Sequence, residues 1–228
     1  MKVSIIIPSF NEGLTIGSVI KKVLAVRLPN YSKEIIVVDD GSTDNTIKIL
    51  KKLPKDKKIK LMINKKNLGK GASILKALKI ATGHIILIQD ADLEYDPADI
   101  PKLLKPFGDK DVKVVYGSRV LTHNPSSHWT FNLGGRFVTI ITNLLYDTKI
   151  TDEPTGYKVF KKEVLKHIKL KSKGFEFCPE FTAKIAKAGI KIIEVPIDYR
   201  PRPVSQKKIK WYDGLAAIYY LFKYKFFG

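Results

Sequence analysis

Asp90-Ala91-Asp92 closes the apolar run His84-Ile85-Ile86-Leu87-Ile88-Gln89. Alternate residues of a strand share a face, so both carboxylates can converge on one point. Paired carboxylates resist joint ionisation unless a cation lies between them. Hard oxygen donors suit Mg²⁺ or Mn²⁺, and Mg²⁺ is usually held by one or two carboxylates together with substrate phosphates. The competing assignment is structural, with Asp92 capping a helix and Asp90 solvated. Asp39-Asp40-Gly41-Ser42 can accept hydrogen bonds from a base or ribose, or it can form a capped turn. Asn67-Leu68-Gly69-Lys70-Gly71 opens a helix, where bare amides and a Lys make a candidate phosphate cradle. Arg119, Arg136, Arg200 and Arg202 stand out among cations that are mostly Lys. Arg grips phosphate bidentately, although each of these could be a surface ion pair. No Walker A loop and no dinucleotide fingerprint occurs, which argues against a kinase, an ATPase or a dehydrogenase.

These clusters need a scaffold that brings them together. Short apolar runs at Val3 to Ile7, Glu34 to Val38, Ile59 to Ile63 and Ile85 to Gln89 read as strands. Leu14 to Val26, Ile47 to Leu53 and Ala72 to Ala81 read as the helices between them. Apolar strands alternating with helices predict an α/β fold, a mostly parallel sheet covered on both faces. Ligands of such sheets bind outside the carboxyl ends of the strands, and each acidic or glycine-rich cluster falls at such an end. The second half is less regular. Strands are predicted at Val112 to Tyr116 and Ile190 to Val195, a turn at Asp152 to Gly156 ahead of Tyr157 to Phe160, and helices at Arg136 to Leu145 and Phe177 to Ala188. Leu121 to Trp129, rich in Asn, Pro, Ser and His, reads as a mobile loop.

With 228 residues, 44% hydrophobic and 28% charged, the chain reads as one globular domain. Cys178 has no partner for an intrachain disulfide and reads as packing. The formal net charge of +19 calls for an anionic partner or reflects a Lys-rich background. Nucleic acid is disfavoured, because neither a helix-turn-helix nor an aromatic and basic sheet motif is present. Met1 leads directly into a strand, so no leader is expected, and no apolar run is long enough to span a bilayer.

Four blocks occur in a telling order: Ser4 to Glu12 (SIIIPSFNE), Val37 to Asp44 (VVDDGSTD), Asn67 to Gly71 and Gln89 to Glu94 (QDADLE). Gly117-Ser118-Arg119, Thr155 to Phe160, Gly174 to Phe177 and Trp211 to Gly214 continue the order. Together they resemble glycosyltransferase family 2, on the dolichol-phosphate mannose synthase branch, over essentially the whole chain. The resemblance implies a GT-A fold, a nucleotide-sugar-binding α/β sandwich formed by residues 1–228. It implies nucleotide-sugar contacts from Pro8, Phe10, Asn11, Glu12, Val37, Asp39, Lys70, Asp90, Ala91, Asp92 and Arg202. Asp90, Asp92 and Glu94 match the metal-binding positions for Mg²⁺ or Mn²⁺, Glu94 standing where such enzymes often carry Gln. Arg119 and Arg136 match positions that bind an acceptor phosphate. Arg202 matches an Arg that contacts the donor diphosphate, with Lys207 and Lys208 assisting.

The implied reaction is inverting transfer of a hexose from GDP-mannose or UDP-glucose to a polyprenyl or dolichyl phosphate. The catalytic set is then Asp90, Asp92, Arg202 and Asp152. An anionic phosphate needs no general base, so Asp152 would orient; with a saccharide or lipid hydroxyl as acceptor, Asp152 or Glu153 would deprotonate it. Residues 204–228 interleave Lys with Trp211, Tyr212, Tyr219, Tyr220, Phe222, Tyr224, Phe226 and Phe227, which suits a membrane interface or a helix packed on the domain. Peripheral attachment at the cytoplasmic face of a membrane is the expectation.

Overall fold

The computed structural model of the chain describes residues 1–53, 56–125, 129–208 and 211–227, without the side chains of 129–131, 204 and 211. The first half alternates as expected. β1 (Lys2–Ser9), β2 (Ser32–Asp39), β3 (Ile59–Ile63) and β4 (Ile85–Ile88) are separated by α1 (Ile16–Ala25), α2 (Thr46–Lys51) and α3 (Lys70–Leu78). β1 pairs in parallel with β2 and β4, and β2 with β3. Along β1, Ile5 and Ile7 join a core with α1 and α4 (Ile100–Leu104), while Ile6 joins the opposite core with α3. A strand buried on both faces must be apolar at nearly every position, so it shows a continuous run with no alternation.

The second half contributes β5 (Val114–Ser118), α5 (Trp129–Tyr146), β6 (Lys158–Lys161), α6 (Phe177–Lys187), β7 (Ile192–Pro196) and α7 (Trp211–Phe226). One sheet carries all seven strands, in the order β3-β2-β1-β4-β6-β5-β7. β6 lies between β4 and β5 and runs antiparallel to both, whereas β5 and β7 pair in parallel. The sheet is therefore mostly parallel, as expected, with one reversed strand.

The expected loop at 121–129 is tied down where it is described, and 126–128 lie outside the described residues. Asn124 donates from Nδ2 to the carbonyls of Arg119 (2.8 Å) and Ile197 (3.0 Å) and accepts from the Tyr199 amide (2.8 Å). At the opposite end of the sheet, the buried carboxylate of Glu34 has no catalytic surroundings. It accepts from Ser4 Oγ (2.5 Å), the Thr82 amide (2.6 Å), Thr82 Oγ1 (2.9 Å), Lys60 Nζ (2.9 Å) and Lys2 Nζ (3.1 Å). Burial opposes its charge, yet these donors hold its pKa far below the ordinary value.

Candidate active site

At the end of β2, Asp39 is wholly buried and accepts from the amide (3.0 Å) and hydroxyl (2.6 Å) of Ser42. Asp40 accepts from Asn64 Nδ2 (2.7 Å) and from the amides of Leu68 (3.0 Å) and Gly69 (2.7 Å). Both acids thus shape turns, the structural alternative for this cluster. Gly41, at φ +73°, lets the 64–69 loop pass, since a Cβ there would lie 2.6 Å from the Lys66 carbonyl carbon.

The expected amide cradle at 67–71 is not open. The amides of Leu68 and Gly69 go to Asp40, and those of Gly71 and Ala72 go to the carbonyls of Gly174 and Lys173. What this helix start offers the site is the Lys70 side chain. Pro8 is buried, and Val37 lies wholly inside the core and presents no side-chain surface to a nucleotide. Asn11 (φ 48°) accepts from the Thr43 amide at 2.8 Å, and Phe10 is partly exposed beneath Lys208 Nζ, 5.7 Å from its ring centre.

The acids at the ends of β1 and β4 are each matched by a cation from elsewhere in the chain. Lys70 Nζ lies 2.5 Å from Asp90 Oδ1. Arg202 reaches Asp92 through Nη2 (2.8 Å) and Glu12 through Nη1 (3.1 Å), and Lys208 Nζ lies 2.7 Å from Glu12. Glu94 accepts from the Arg202 amide (2.7 Å) and faces Lys207 at 4.0 Å. Burial pushes the Asp92 carboxyl up to about 7, and the neighbouring charge of Asp90 adds to the rise, outweighing Arg202. Burial disfavours charge on Lys70, yet Asp90 holds its pKa above the ordinary value.

The expected set of three metal ligands is not assembled. Among the described residues no three His, Cys, Asp or Glu side chains gather to hold an ion, and Glu94 is turned to Arg202 and Lys207. The chemistry of the Asp90–Asp92 pair still fits a divalent cation. Beside Asp90, burial and the neighbouring charge raise the pKa of the half-buried Asp92, and two protein oxygen donors plus phosphate oxygens is a usual Mg²⁺ environment. Gly156 leaves room for this, because a Cβ there would collide with Asp90 Oδ2.

Beside β5, Arg119 is clamped by Asp152. Nε donates to Oδ2 (2.7 Å), Nη2 to Oδ1 (2.6 Å) and the backbone amide to Oδ2 (2.9 Å). Burial alone would raise the Asp152 pKa; Arg119 overrides it and holds the carboxyl below its ordinary value. The guanidinium carbon also sits 5.1 Å from the Tyr199 ring centre. Tyr199 bridges to Tyr95, whose hydroxyl accepts from the Gly156 amide at 2.9 Å, so an aromatic seam joins Arg119 to the Asp90 side. Arg136 is exposed on α5 and is not part of this clamp. Sequence reasoning missed Tyr95, Tyr199 and Glu194, which accepts from the amides of Thr151 (2.7 Å) and Asp152 (3.1 Å). Tyr95 directly follows the acidic block and could have been included; Glu194 sits in a plain strand and carries no local signal.

The mostly parallel seven-stranded sheet with its helices is a GT-A fold, shared with the solved structures this chain is similar to. The chain belongs to glycosyl transferase family 2, whose family model matches residues 4–169. It is 35% identical over 212 residues to the uncharacterized protein MJ0544 of Methanocaldococcus jannaschii, covering 88% of this chain and 90% of that one. It is 28% identical over 233 residues to a dolichol-phosphate mannosyltransferase of Pyrococcus furiosus, covering 99% of this chain and 65% of that protein's length. Glucosyl-3-phosphoglycerate synthase from Mycobacterium tuberculosis, solved with Mn²⁺, UDP and glucosyl-3-phosphoglycerate, shares the fold with a TM-score of 0.74 at 19% identity. That match covers 95% of this chain and 78% of the other.

Proposed function

We propose that this family 2 glycosyltransferase moves a hexose, mannose or glucose, from GDP-mannose or UDP-glucose to a polyprenyl phosphate such as dolichyl phosphate, with inversion. The Arg119–Asp152 clamp carries this reading. Asp152 gives both oxygens to Arg119 and its proton affinity is lowered, which suits an orienting acid and not a base for a hydroxyl acceptor. A fixed guanidinium is what a phosphate acceptor needs, and a phosphate oxygen is already anionic near neutral pH. The similarity to a dolichol-phosphate mannosyltransferase supports the same acceptor class.

Asp90 and Asp92 would hold Mg²⁺ or Mn²⁺, which supplies positive charge to the leaving diphosphate. Arg202 sits against Asp92 and Glu12, and Lys70 against Asp90, so both can add fixed charge where the leaving group becomes more negative. Arg119, with Arg136 as the outer basic position, would bind the acceptor phosphate. Its oxygen bonds to the anomeric carbon as the bond to the nucleoside diphosphate breaks, the electrons of that bond leaving with the diphosphate. Peripheral attachment to the cytoplasmic face of a membrane would place the protein beside a lipid-linked acceptor. No described helix is long and apolar enough to cross one.

The test is a screen of nucleotide sugars with a short polyprenyl phosphate and Mn²⁺ or Mg²⁺, with products identified by mass. A sugar released from the product by mild acid is expected. A mild-acid-stable glycoside of an added saccharide or lipid hydroxyl, with the polyprenyl phosphate untouched, would replace this acceptor class by the hydroxyl one.

A further inference from the structure

β5 and its two neighbours place Lys158, Tyr116 and Glu194 in one row, since Tyr116 is the register partner of Lys158 on β6 and of Glu194 on β7. Register partners share a sheet face, so the three side chains stand on the same side. The 151–153 turn is gripped from both ends of this row. Glu194 accepts from the amides of Thr151 (2.7 Å) and Asp152 (3.1 Å), and Lys158 Nζ donates to the Glu153 carbonyl at 2.7 Å. An anion takes the donors of the turn and a cation takes its acceptor. The turn they hold carries Asp152, whose two oxygens fix Arg119.

An ammonium in this place needs a reason. Lys158 is 1% exposed, with Nζ 3.9 Å from the Tyr116 ring centre. Burying that charge is far costlier than burying a Leu or Met. Charge balance does not account for it. Glu153, the buried acid nearby, accepts from Thr182 Oγ1 (3.0 Å) at Oε1, and its Oε2 has no hydrogen-bond partner among the described residues. Burial pushes the Glu153 carboxyl above its ordinary range, against the pull of Lys158. An ammonium placed to neutralise Glu153 would donate to that open oxygen; this one donates to the backbone carbonyl. We propose that Lys158 is a positioning residue for the proposed transfer. Its bond to the Glu153 carbonyl fixes the turn so that Asp152 holds Arg119 at the angle the acceptor phosphate meets. The proposal rests on the reading of Arg119 as the acceptor-phosphate group. Lys158 lies beneath the surface and acts through Asp152, and a fork-to-fork grip tolerates little displacement of either partner.

The experiment pairs kinetics with a direct view of the clamp. Lys158→Met should raise the acceptor KM for a short polyprenyl phosphate about tenfold, with nucleotide-sugar affinity by calorimetry unchanged. That variant leaves Glu153 buried without a nearby cation and risks misfolding, so Lys158→Met/Glu153→Gln, which buries neither charge, is the second. It should melt close to wild type and keep the raised acceptor KM. In Arg119→Ala protein, Lys158→Met should add less than about twofold, because a residue that acts through Arg119 has nothing left to position. The Arg119 Nε proton, which is donated to Asp152 Oδ2, gives the view that needs no turnover. Followed by ¹H–¹⁵N NMR and assigned by its loss in Arg119→Lys, it should exchange at least about tenfold faster in the double variant. A wild-type acceptor KM in both Lys158 variants would overturn the proposal. So would KM recovering together with melting in the double variant, or the full tenfold loss persisting in Arg119→Ala protein. The two readings fail separately. If wild-type protein leaves polyprenyl phosphate untouched while the Arg119 proton exchanges faster in the double variant, the acceptor class falls and the positioning role stands; turnover with unchanged exchange does the reverse.

Discussion

At the ends of β1 and β4, four carboxylates (Glu12, Asp90, Asp92 and Glu94) share four cations (Lys70, Arg202, Lys207 and Lys208), while beside β5 Arg119 is held by Asp152 in a bidentate clamp. A shared network can exchange partners. Arg202 already divides its donors between two acids, and its Nε is buried without an acceptor among the described residues, so an arriving anion can compete for it. A bidentate clamp fixes one guanidinium in one orientation. The difference suits a donor side that admits and releases a charged group and an acceptor side that presents a preset one.

The largest expected effect is on the donor side. Asp92→Ala should lower kcat/KM for sugar transfer by about a thousandfold, or about 4 kcal/mol, in steady-state assays. A near-wild-type rate would remove Asp92 from the reaction. On the acceptor side, Arg119→Ala should raise the acceptor KM by about a hundredfold, close to 3 kcal/mol, while leaving nucleotide-sugar affinity by calorimetry unchanged. Arg119→Lys should recover only part of that loss, because an ammonium lacks the fork that Asp152 grips. Equal damage to donor and acceptor binding would merge the two sides into one network.

Glu34, at the far end of the sheet, is the control for a carboxylate committed to the fold. Glu34→Gln should cost about 2 kcal/mol of stability by denaturant unfolding and leave transfer kinetics untouched. The pH sign follows from its lowered folded-state pKa. Its contribution is present above the unfolded value of about 4.3 and is lost as pH falls below it, so the variant should show a shallower acid destabilisation than wild type. The smallest effect is expected at Arg136, exposed and outside the clamp, where alanine should raise the acceptor KM by less than about threefold.

The proposed donor side was largely legible because its acidic blocks lie at the ends of consecutive buried strands. Continuous apolar runs located β1 to β4, and the acidic blocks that follow them fell where a parallel sheet concentrates ligands. The roles within those blocks were less legible. Asp39 and Asp40 look alike in sequence, and only their partners (Ser42 for one, the 64–69 loop for the other) show that both shape turns. The amides of Leu68, Gly69 and Gly71 looked open because their acceptors, Asp40 and Gly174, lie 28 to 103 residues away. Glu94 shares spacing with Asp90 and Asp92 but is drawn away by the Arg202 amide.

The second half hid more. β6 is four residues long, and nothing local to Lys158–Lys161 says that it runs antiparallel between β4 and β5. α4 begins with the Ile100-Pro101 pair, which masks a short helix, and α5 starts at Trp129, in the stretch whose polar composition reads as loop. Asn124 looked like part of a mobile segment because its three hydrogen-bond partners include residues 73 and 75 positions away.

The central claim is that Arg119 presents a phosphate acceptor to the sugar, with Asp152 orienting and not deprotonating. ³¹P NMR of the reaction between a nucleotide sugar and a short polyprenyl phosphate tests it most directly. The expected result is conversion of the acceptor's monoester signal into a phosphodiester, one equivalent for each nucleoside diphosphate released. An unchanged monoester signal, while nucleoside diphosphate accumulates with a glycoside of an added hydroxyl acceptor, would contradict it.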